Sequence, residues 1–444
     1  MVKPDVFTYT KIAVNYVTLQ FVNTVRIKIV SLIFLSFFFS CSNKRQYTKK
    51  PAKSIVNPDN ELVEVNAVAY HVHDSATLLF VEVVNENLMY RRPDTSTAFY
   101  AEIRVSFRLF SESNTKQILD SSSYILNDRA GEQMDVHSLR TMFTLKTKTG
   151  SDYNAEVKVY DLNKKVVYDK EVMIHRKHQS GQDYLVNVNN SVSFDHHFKK
   201  GDTVHVETKL QVKKVRIDCF IREFPPAYPP FSSKSADELK YSPDSTFEVA
   251  ISSGTFYVVM PAKGFYHIRG DASKNEGLTL FSFGNSFPGI SNSDEMIKAT
   301  RYLMNKEEYD NCMNASDQKV EIDKFWLSIG GSNERAKELL KKYYGRVMEA
   351  NKLYSHYAPG WKSDRGMIYI VFGRPNYLYR GSKTETWVYG QETNPNTFRY
   401  VFTKANNPFS ENDYILTRSQ FFKDHWYQAV DTWRQGHVYL SQDR

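Results

Sequence analysis

Hydrophobic and polar positions follow two regimes along the chain. From Glu61 to about Lys177 the pattern alternates. Val63, Val65, Ala67 and Ala69 share one face, and Phe99, Ala101, Ile103, Val105, Phe107 and Leu109 share another, opposite Glu102, Arg104, Ser106 and Arg108. Strict alternation predicts half-buried β-strands. Polar turns such as Asn127-Asp128 and Thr149-Gly150-Ser151-Asp152 separate the runs, and Ala155, Val157 and Val159 begin a closing hairpin that turns at Asn163-Lys164-Lys165. Tyr153, just after the turn, is placed to act as a tyrosine corner. A similar phrase recurs later: Lys263-Gly264-Phe265-Tyr266 leads through a polar turn to Leu278-Thr279-Leu280-Phe281. Two successive antiparallel, Ig-like β-sandwiches are therefore expected, over 61–178 and 179–290. The Pro-rich Phe224-Pro225-Pro226-Ala227-Tyr228-Pro229-Pro230 would be a loop of the second.

Beyond residue 290 the period changes. Asp294–Cys312 and Val320–Ile329 read as helices, the break after the second falling at Gly330-Gly331-Ser332. Ala336, Leu340, Tyr343, Val347, Ala350 and Tyr354 recur every three or four residues, the stripe of an amphipathic helix. Pro359-Gly360 stops it. Strands are expected at 367–373, 384–389, 398–404 and 413–417, then a helix near 420–435. Residues 291–444 thus predict an α+β domain, a helical hairpin with an antiparallel meander. All five tryptophans (Trp326, Trp361, Trp387, Trp426, Trp433) lie in it, so the most demanding core belongs there.

The net charge of +8 suggests a nucleic-acid binder until it is located. Residues 1–59 carry nine Lys/Arg against Asp5 and Asp59, so the rest of the chain is nearly neutral and lacks the footprint nucleic acid needs. Arg26 and Lys28 precede the apolar run Ile29–Ser40, which is too short to span a bilayer and suited to a signal sequence. Ser40-Cys41 then resembles the processing site of a bacterial lipoprotein; an ordinary signal peptide or anchor would leave Cys41 without a role. The signal reads best from near Val25, with residues 1–40 as the leader and 41–60, rich in Lys, Gln, Asn and Pro, as a flexible tether. No acid follows Cys41 in Ser42-Asn43-Lys44-Arg45-Gln46, which favours the periplasmic face of an outer membrane. Cys219 and Cys312 are too few, and too different in context, to read as a disulfide framework.

The residues Phe325-Trp326, Asn333, Arg335, Arg346, Ala350-Asn351, Gly360-Trp361-Lys362-Ser363-Asp364-Arg365-Gly366 and Gly373-Arg374-Pro375 closely resemble the GWxTD-domain proteins, exported and often lipidated proteins found chiefly in Bacteroidota. Here Ser363 replaces the threonine of that motif. The resemblance implies a cell-envelope lipoprotein without assigning a chemistry. Gly373-x-Pro375 with Trp387-Val388-Tyr389 and Tyr400-Val401-Phe402 is, more weakly, similar to small lipoproteins of the outer-membrane β-barrel assembly machinery.

Candidate sites follow from residue type. Gly360, Trp361, Ser363, Asp364, Arg365 and Gly366 form the motif; turn chemistry explains each, with Ser363 or Asp364 accepting backbone N–H groups and Arg365 or Arg346 pairing with Asp364. Arg346, Asn351, Glu385 and Trp387 are docking or structural candidates. His71-Val72-His73-Asp74 and Asp195-His196-His197 are read as solvated strand-end residues, because nothing joins them into a metal site. No phosphate loop, nucleophile elbow or H-E-x-x-H motif is present. The expectation is a non-enzymatic interaction or assembly module without cofactor or metal, with a protein partner in the envelope. A glycan- or peptidoglycan-binding module is the first alternative. A hydrolase with a cleft joining Asp364, Arg365 and Glu385 is the second.

Overall fold

The computed structural model describes residues 53–54, 63–92, 98–130, 135–234, 242–381, 383–391 and 394–440. The signal and Cys41 lie outside the described residues, as does the tether except for the two-residue strand Lys53–Ser54. Strands β1 (Val65–His73), β2 (Ala76–Val84), β3 (Phe99–Ser111), β4 (Asn114–Ala130), β5 (Ser138–Lys146), β6 (Tyr153–Asp161) and β7 (Val166–Ile174) build the first module. One antiparallel sheet has the order β1-β2-β5, and the other β4-β3-β6-β7. Ile103, Val105, Leu109, Ala155, Val157 and Val159 are wholly buried between the sheets, as their alternation predicts.

The second module holds β8 (Tyr184–Val188), β9 (Ser191–Val192), β10 (Thr203–Thr208), β11 (Lys214–Phe220), β12 (Ser245–Ala250), β13 (Thr255–Val259), β14 (Gly264–Arg269) and β15 (Leu278–Ser282). Its sheets run β9-β8-β10-β13 and β12-β11-β14-β15 around a core of Val204, Val206, Ile217, Ile268 and Leu280. The repeated sequence phrase has a repeated geometry. Tyr153 Oη accepts the Lys148 N–H at 3.0 Å and donates to the Lys148 carbonyl at 3.4 Å. Tyr266 Oη does the same with Ala262, at 2.9 and 2.8 Å.

The C-terminal module runs through α1 (Ser293–Thr300), α2 (Lys306–Asn314), α3 (Gln318–Gly330), α4 (Asn333–Tyr354), α5 (Asp364–Phe372), β16 (Tyr377–Arg380), β17 (Thr384–Tyr389), β18 (Phe398–Lys404), β19 (Tyr414–Leu416) and α6 (Phe422–Arg434). Strands β16 to β19 are an antiparallel meander in chain order. Two element readings change. The expected helix 294–312 is two helices, because Asn305 opens α2 with a capping box shared with Glu308. The expected strand 367–373 is helix α5, and all nine of its residues are buried. A short run that is apolar on every side has no periodicity to tell helix from strand, so the sequence pattern misleads there. Gly330-Gly331-Ser332 is a tight corner: Gly331 takes φ 70° as the C-cap of α3, and Ser332 caps α4.

The modules meet through aromatic rings and several ion pairs, among them Lys263 with Glu295 and Glu223 with Lys298 and Lys362. Phe220 and Phe265 of the second sandwich stack at 4.4 Å, and both lie 4.9 Å from Phe409 of the C-terminal module. His175, just past β7, pairs with Glu411, which also holds Lys404 at 2.8 Å. Tyr266→Phe removes two hydrogen bonds at a buried site and should lower stability by about 2 kcal/mol, read from the urea midpoint of the second sandwich. A loss under about 0.3 kcal/mol would show that the repeated tyrosine corner carries no stability.

Candidate functional site

The motif is built on a turn where three backbone segments touch. A Cβ on Gly360 would lie 1.9 Å from the Ala350 carbonyl oxygen, and one on Gly366 would lie 1.8 Å from the Gly360 carbonyl oxygen. Only glycine allows the end of α4, the turn and the start of α5 to approach this closely. Asn351 then ties the turn in place: its Oδ1 accepts the Trp361 N–H at 3.0 Å, and its Nδ2 donates to the Pro288 carbonyl at 2.8 Å. Ser355 Oγ accepts the Gly360 N–H at 2.8 Å. Ser363 Oγ accepts the Gly366 N–H at 3.0 Å as the N-cap of α5 and donates to the Gly360 carbonyl at 2.7 Å. Trp361 is buried in the aromatic core, and its carbonyl accepts the Tyr302 hydroxyl at 2.9 Å.

The charged residues of the motif face inward. The carboxylate of Asp364 accepts the Leu416 N–H at 2.8 Å and pairs with Arg418, the partner in place of the expected Arg365 or Arg346. Arg365 pairs instead with Glu385 at 3.2 Å and donates to the Asn412 carbonyl at 2.8 Å, with its guanidinium 4.1 Å above the Tyr414 ring. Glu385 also accepts the indole N–H of Trp387 at 3.2 Å. Arg346 lies at the other end of α5, donating to the carbonyls of Ile370, Val371 and Tyr439 at 3.1, 3.3 and 2.7 Å. Burial pushes the Asp364 carboxyl above its ordinary range against the opposing pull of Arg418, and burial lowers the pKa of Arg346. Asp413, also buried, is raised to about 6 by desolvation with the Asp364 charge adding to it; Asn407, donating at 2.6 Å, opposes the shift.

Two residues of the motif reach a groove. Trp361 and Lys362 line a hollow of about 280 Å³ between the second sandwich and the C-terminal module, with Phe224, Phe287, Lys298 and Asn351. It continues past Pro225 and Arg301 into a wider trough of about 810 Å³ bordered by Tyr228, Tyr309, Trp426 and Tyr427. One wall is the Pro-rich segment, which is a strap and not a free loop. Ala227 N–H donates to the Lys362 carbonyl at 2.8 Å, Ser419 N–H to the Pro230 carbonyl at 3.0 Å, and Arg418 to the Tyr228 carbonyl at 3.1 Å. Lys362 Nζ donates to the Phe224 carbonyl at 2.8 Å and pairs with Glu223 at 3.1 Å; burial lowers its pKa, with Glu223 pulling the other way. Asp364, Arg365 and Glu385 do not line this groove.

His71 departs from the expected solvated setting. His71 is buried, accepting from Thr77 Oγ1 at 2.9 Å and donating to the His175 carbonyl at 2.8 Å, and burial lowers its pKa to about 4. His73 is exposed. Asp195 pairs with His197, whose ring stacks on Phe281 and Phe287. Among the described residues, no three His, Cys, Asp or Glu side chains converge as metal ligands would, and the buried Cys219 and Cys312 are free. Sequence reasoning missed the roles of Arg418, Asn412, Asp413 and Tyr414, which lie in and beside the expected strand at 413–417, a run too short to mark which of its side chains turn inward.

Two β-sandwiches in series with an α+β module that encloses a wholly buried helix define a multidomain, β-rich chain. Its C-terminal part is a GWxTD domain: residues 264–435 match the model of that domain, which therefore takes in β14 and β15 as well as the helices and meander. No curated protein matches the chain. Among solved structures, a β-glucuronidase of Bacteroides uniformis aligns over 36% of this chain and 16% of its own, at 10% identity and a TM-score of 0.19. A transglutaminase of red sea bream aligns over 50% and 32%, at 11% identity and a TM-score of 0.19. Likeness this slight carries no argument.

Asp364→Asn leaves the buried Arg418 without its counter-charge and should cost about 3–5 kcal/mol, visible as a fall in thermal midpoint. Adding Arg418→Met should recover part of the loss; a double variant less stable than the single would refute the pairing. Asp413 gives a pH test. Its folded pKa of about 6 lies above the ordinary carboxylate value, so the folded chain holds a proton that the unfolded chain has released. Stability should therefore fall as pH rises from about 4 to about 6 and level off beyond. Asp413→Asn should remove that slope and be more stable than the parent at pH 7.5, by up to about 3 kcal/mol, in urea titrations at pH 4.5 and 7.5.

Proposed function

We propose that this protein is an outer-membrane lipoprotein, anchored through Cys41 on the periplasmic leaflet, that serves as a non-enzymatic interaction or assembly module of a cell-envelope complex. The observation that carries this reading is the use made of the motif's charges. Asp364 and Arg365, the pair a reaction or a charged ligand would use, are buried and held by Arg418 and Glu385. They fasten α5 to the meander. Trp361 and Lys362 are largely buried too, but they border a groove whose wall is already an extended Pro-rich segment held by backbone hydrogen bonds. Grooves of this kind, rimmed by aromatic rings, suit extended peptide segments. The leader, the polar tether and the nearly neutral body support a tethered module near a membrane surface.

The trough beside Tyr309, Trp426 and Tyr427 favours one second reading, a glycan- or peptidoglycan-binding surface, since Tyr427 is half exposed and carboxylates and amides lie near it. The hydrolase reading required a cleft joining Asp364, Arg365 and Glu385, and draws no support from their burial.

Tagged full-length protein purified from membranes tests the choice. Wild type should bring down a defined envelope assembly, and Lys298→Glu with Tyr427→Ala should lose it while circular dichroism stays unchanged. A protein that emerges alone in every case, yet binds peptidoglycan fragments, would replace assembly by glycan binding. Cys41→Ser should move the protein from the membrane to the soluble fraction; unchanged membrane association would overturn the lipid anchor.

A further inference from the structure

We infer that the groove beside the motif takes the C-terminal end of an extended polypeptide, its last side chain in the hollow at Trp361 and its terminal carboxylate between Lys298 and Arg301. The inference rests on the reading of the groove as a docking surface, and names what docks there. The groove has an order. The hollow shares Glu223, Phe224, Lys298, Trp361 and Lys362 with the stretch past Pro225, and that stretch shares Pro225, Pro226, Arg301 and Tyr309 with the trough. Hollow and trough have no lining residue in common, so the middle stretch separates them.

The middle stretch is short of negative charge. Lys298 and Arg301, the C-cap residue, lie one helical turn apart at the end of α1, and Lys362 reaches in from the motif. Lys298 pairs with Asp294 at 2.9 Å and with Glu223 at 3.5 Å, and Lys362 pairs with the same Glu223 at 3.1 Å. Arg301 is exposed, lies over the Tyr309 ring at 5.3 Å and has no carboxylate partner among the described residues. Three cations against two carboxylates leave a place for one further anion. A guanidinium beside an ammonium holds a carboxylate through charge-assisted hydrogen bonds.

The hollow next to these cations is walled by the rings of Phe224, Phe283, Phe287, Tyr357 and Trp361, a lining that suits a large apolar side chain. Lys263 and Glu295 at its rim neutralise each other at 2.6 Å. A place for one carboxylate beside a place for one large side chain, with the trough leading away on the side opposite the hollow, describes a chain terminus. There the carboxylate and the last side chain leave the same Cα, and the chain departs in one direction. An amino terminus brings the wrong charge. In an internal acidic residue the carboxylate occupies the side chain that the hollow would take.

Fluorescence anisotropy with the full-length protein tests the inference. The probe is a short peptide, dye-labelled at its N-terminus, with uncharged side chains and a C-terminal phenylalanine. It is compared with the same peptide as a C-terminal amide, with glycine in place of the phenylalanine, and with a Gly-Gly tail added. The free acid should bind, and each of the other three should bind about tenfold more weakly, from the lost charged hydrogen bond or the lost apolar burial. Arg301→Ala should bring the free acid down to the level of the amide and leave the amide where it was. Equal loss for both peptides would mean a disturbed groove and would overturn the carboxylate's place. Equal binding of acid, amide and tailed peptide would overturn the terminus and leave the groove a docking surface for internal segments. Binding of none of them would overturn the inference, while co-purification of an envelope assembly tests the docking surface separately.

Discussion

A helix buried on every side has to find partners inside the protein for both of its ends. Helix α5 is in that position: nine residues, all buried, with unpaired N–H groups at one end and carbonyls at the other that cannot reach water. The arrangement of the C-terminal module follows from satisfying them. At the N-terminus Ser363 caps, and Asp364 adds negative charge where the helix dipole favours it. At the C-terminus the Arg346 guanidinium bonds two carbonyls, and the Trp433 indole takes the Val371 carbonyl at 3.0 Å. Each partner belongs to a different element: α4 supplies Arg346, α6 supplies Trp433, and the segment after β19 supplies Arg418. Burying this one helix therefore fixes the positions of the others.

This constraint gives each letter of the motif a physical task. Gly360 and Gly366 permit backbone-on-backbone contact, the indole of Trp361 fills the space beside the turn, the hydroxyl at 363 caps, and Asp364 links the cap to the meander. Serine performs the capping task as well as threonine, so Ser363 is a change of residue without a change of role. Charges placed this way act inside the fold. Buried ion pairs add little net stability over apolar replacements but penalise the loss of one partner heavily, and so define a unique arrangement more than they strengthen it.

The strands of the sandwiches and the stripe of α4 were legible in the sequence because one face meets the core and the other meets water, and the alternation records that difference. Tyr153 and Tyr266 were legible for a related reason, since a glycine turn before a tyrosine-bearing strand is a local signal. Helix α5 was not, because a run with no polar face carries no record of its geometry. The partners of Asp364 and Arg365 were hidden differently: Arg418 and Glu385 are 54 and 20 residues away, and charge type alone cannot choose among many candidates. Close to the chain, Arg365 itself seemed the natural mate for Asp364, but successive residues at the start of a helix point in different directions.

The Pro-rich strap was read as a loop for a reason that also explains its role. Prolines 225, 226, 229 and 230 have no N–H to offer, so the segment cannot join a sheet, and composition alone suggests surface chain. In the fold the same property lets it run extended over the C-terminal module with few unsatisfied groups of its own. Its carbonyls at Phe224, Tyr228 and Pro230 take donors from Lys362, Arg418 and Ser419. Arg418 serves the strap and Asp364 together, and the Lys362 carbonyl serves Ala227 within the motif itself. The second sandwich is thus held by the same residues that complete α5. A change in how the strap lies would be felt first at Arg418 and Lys362, which makes the motif the joint between the sandwich and the helical core.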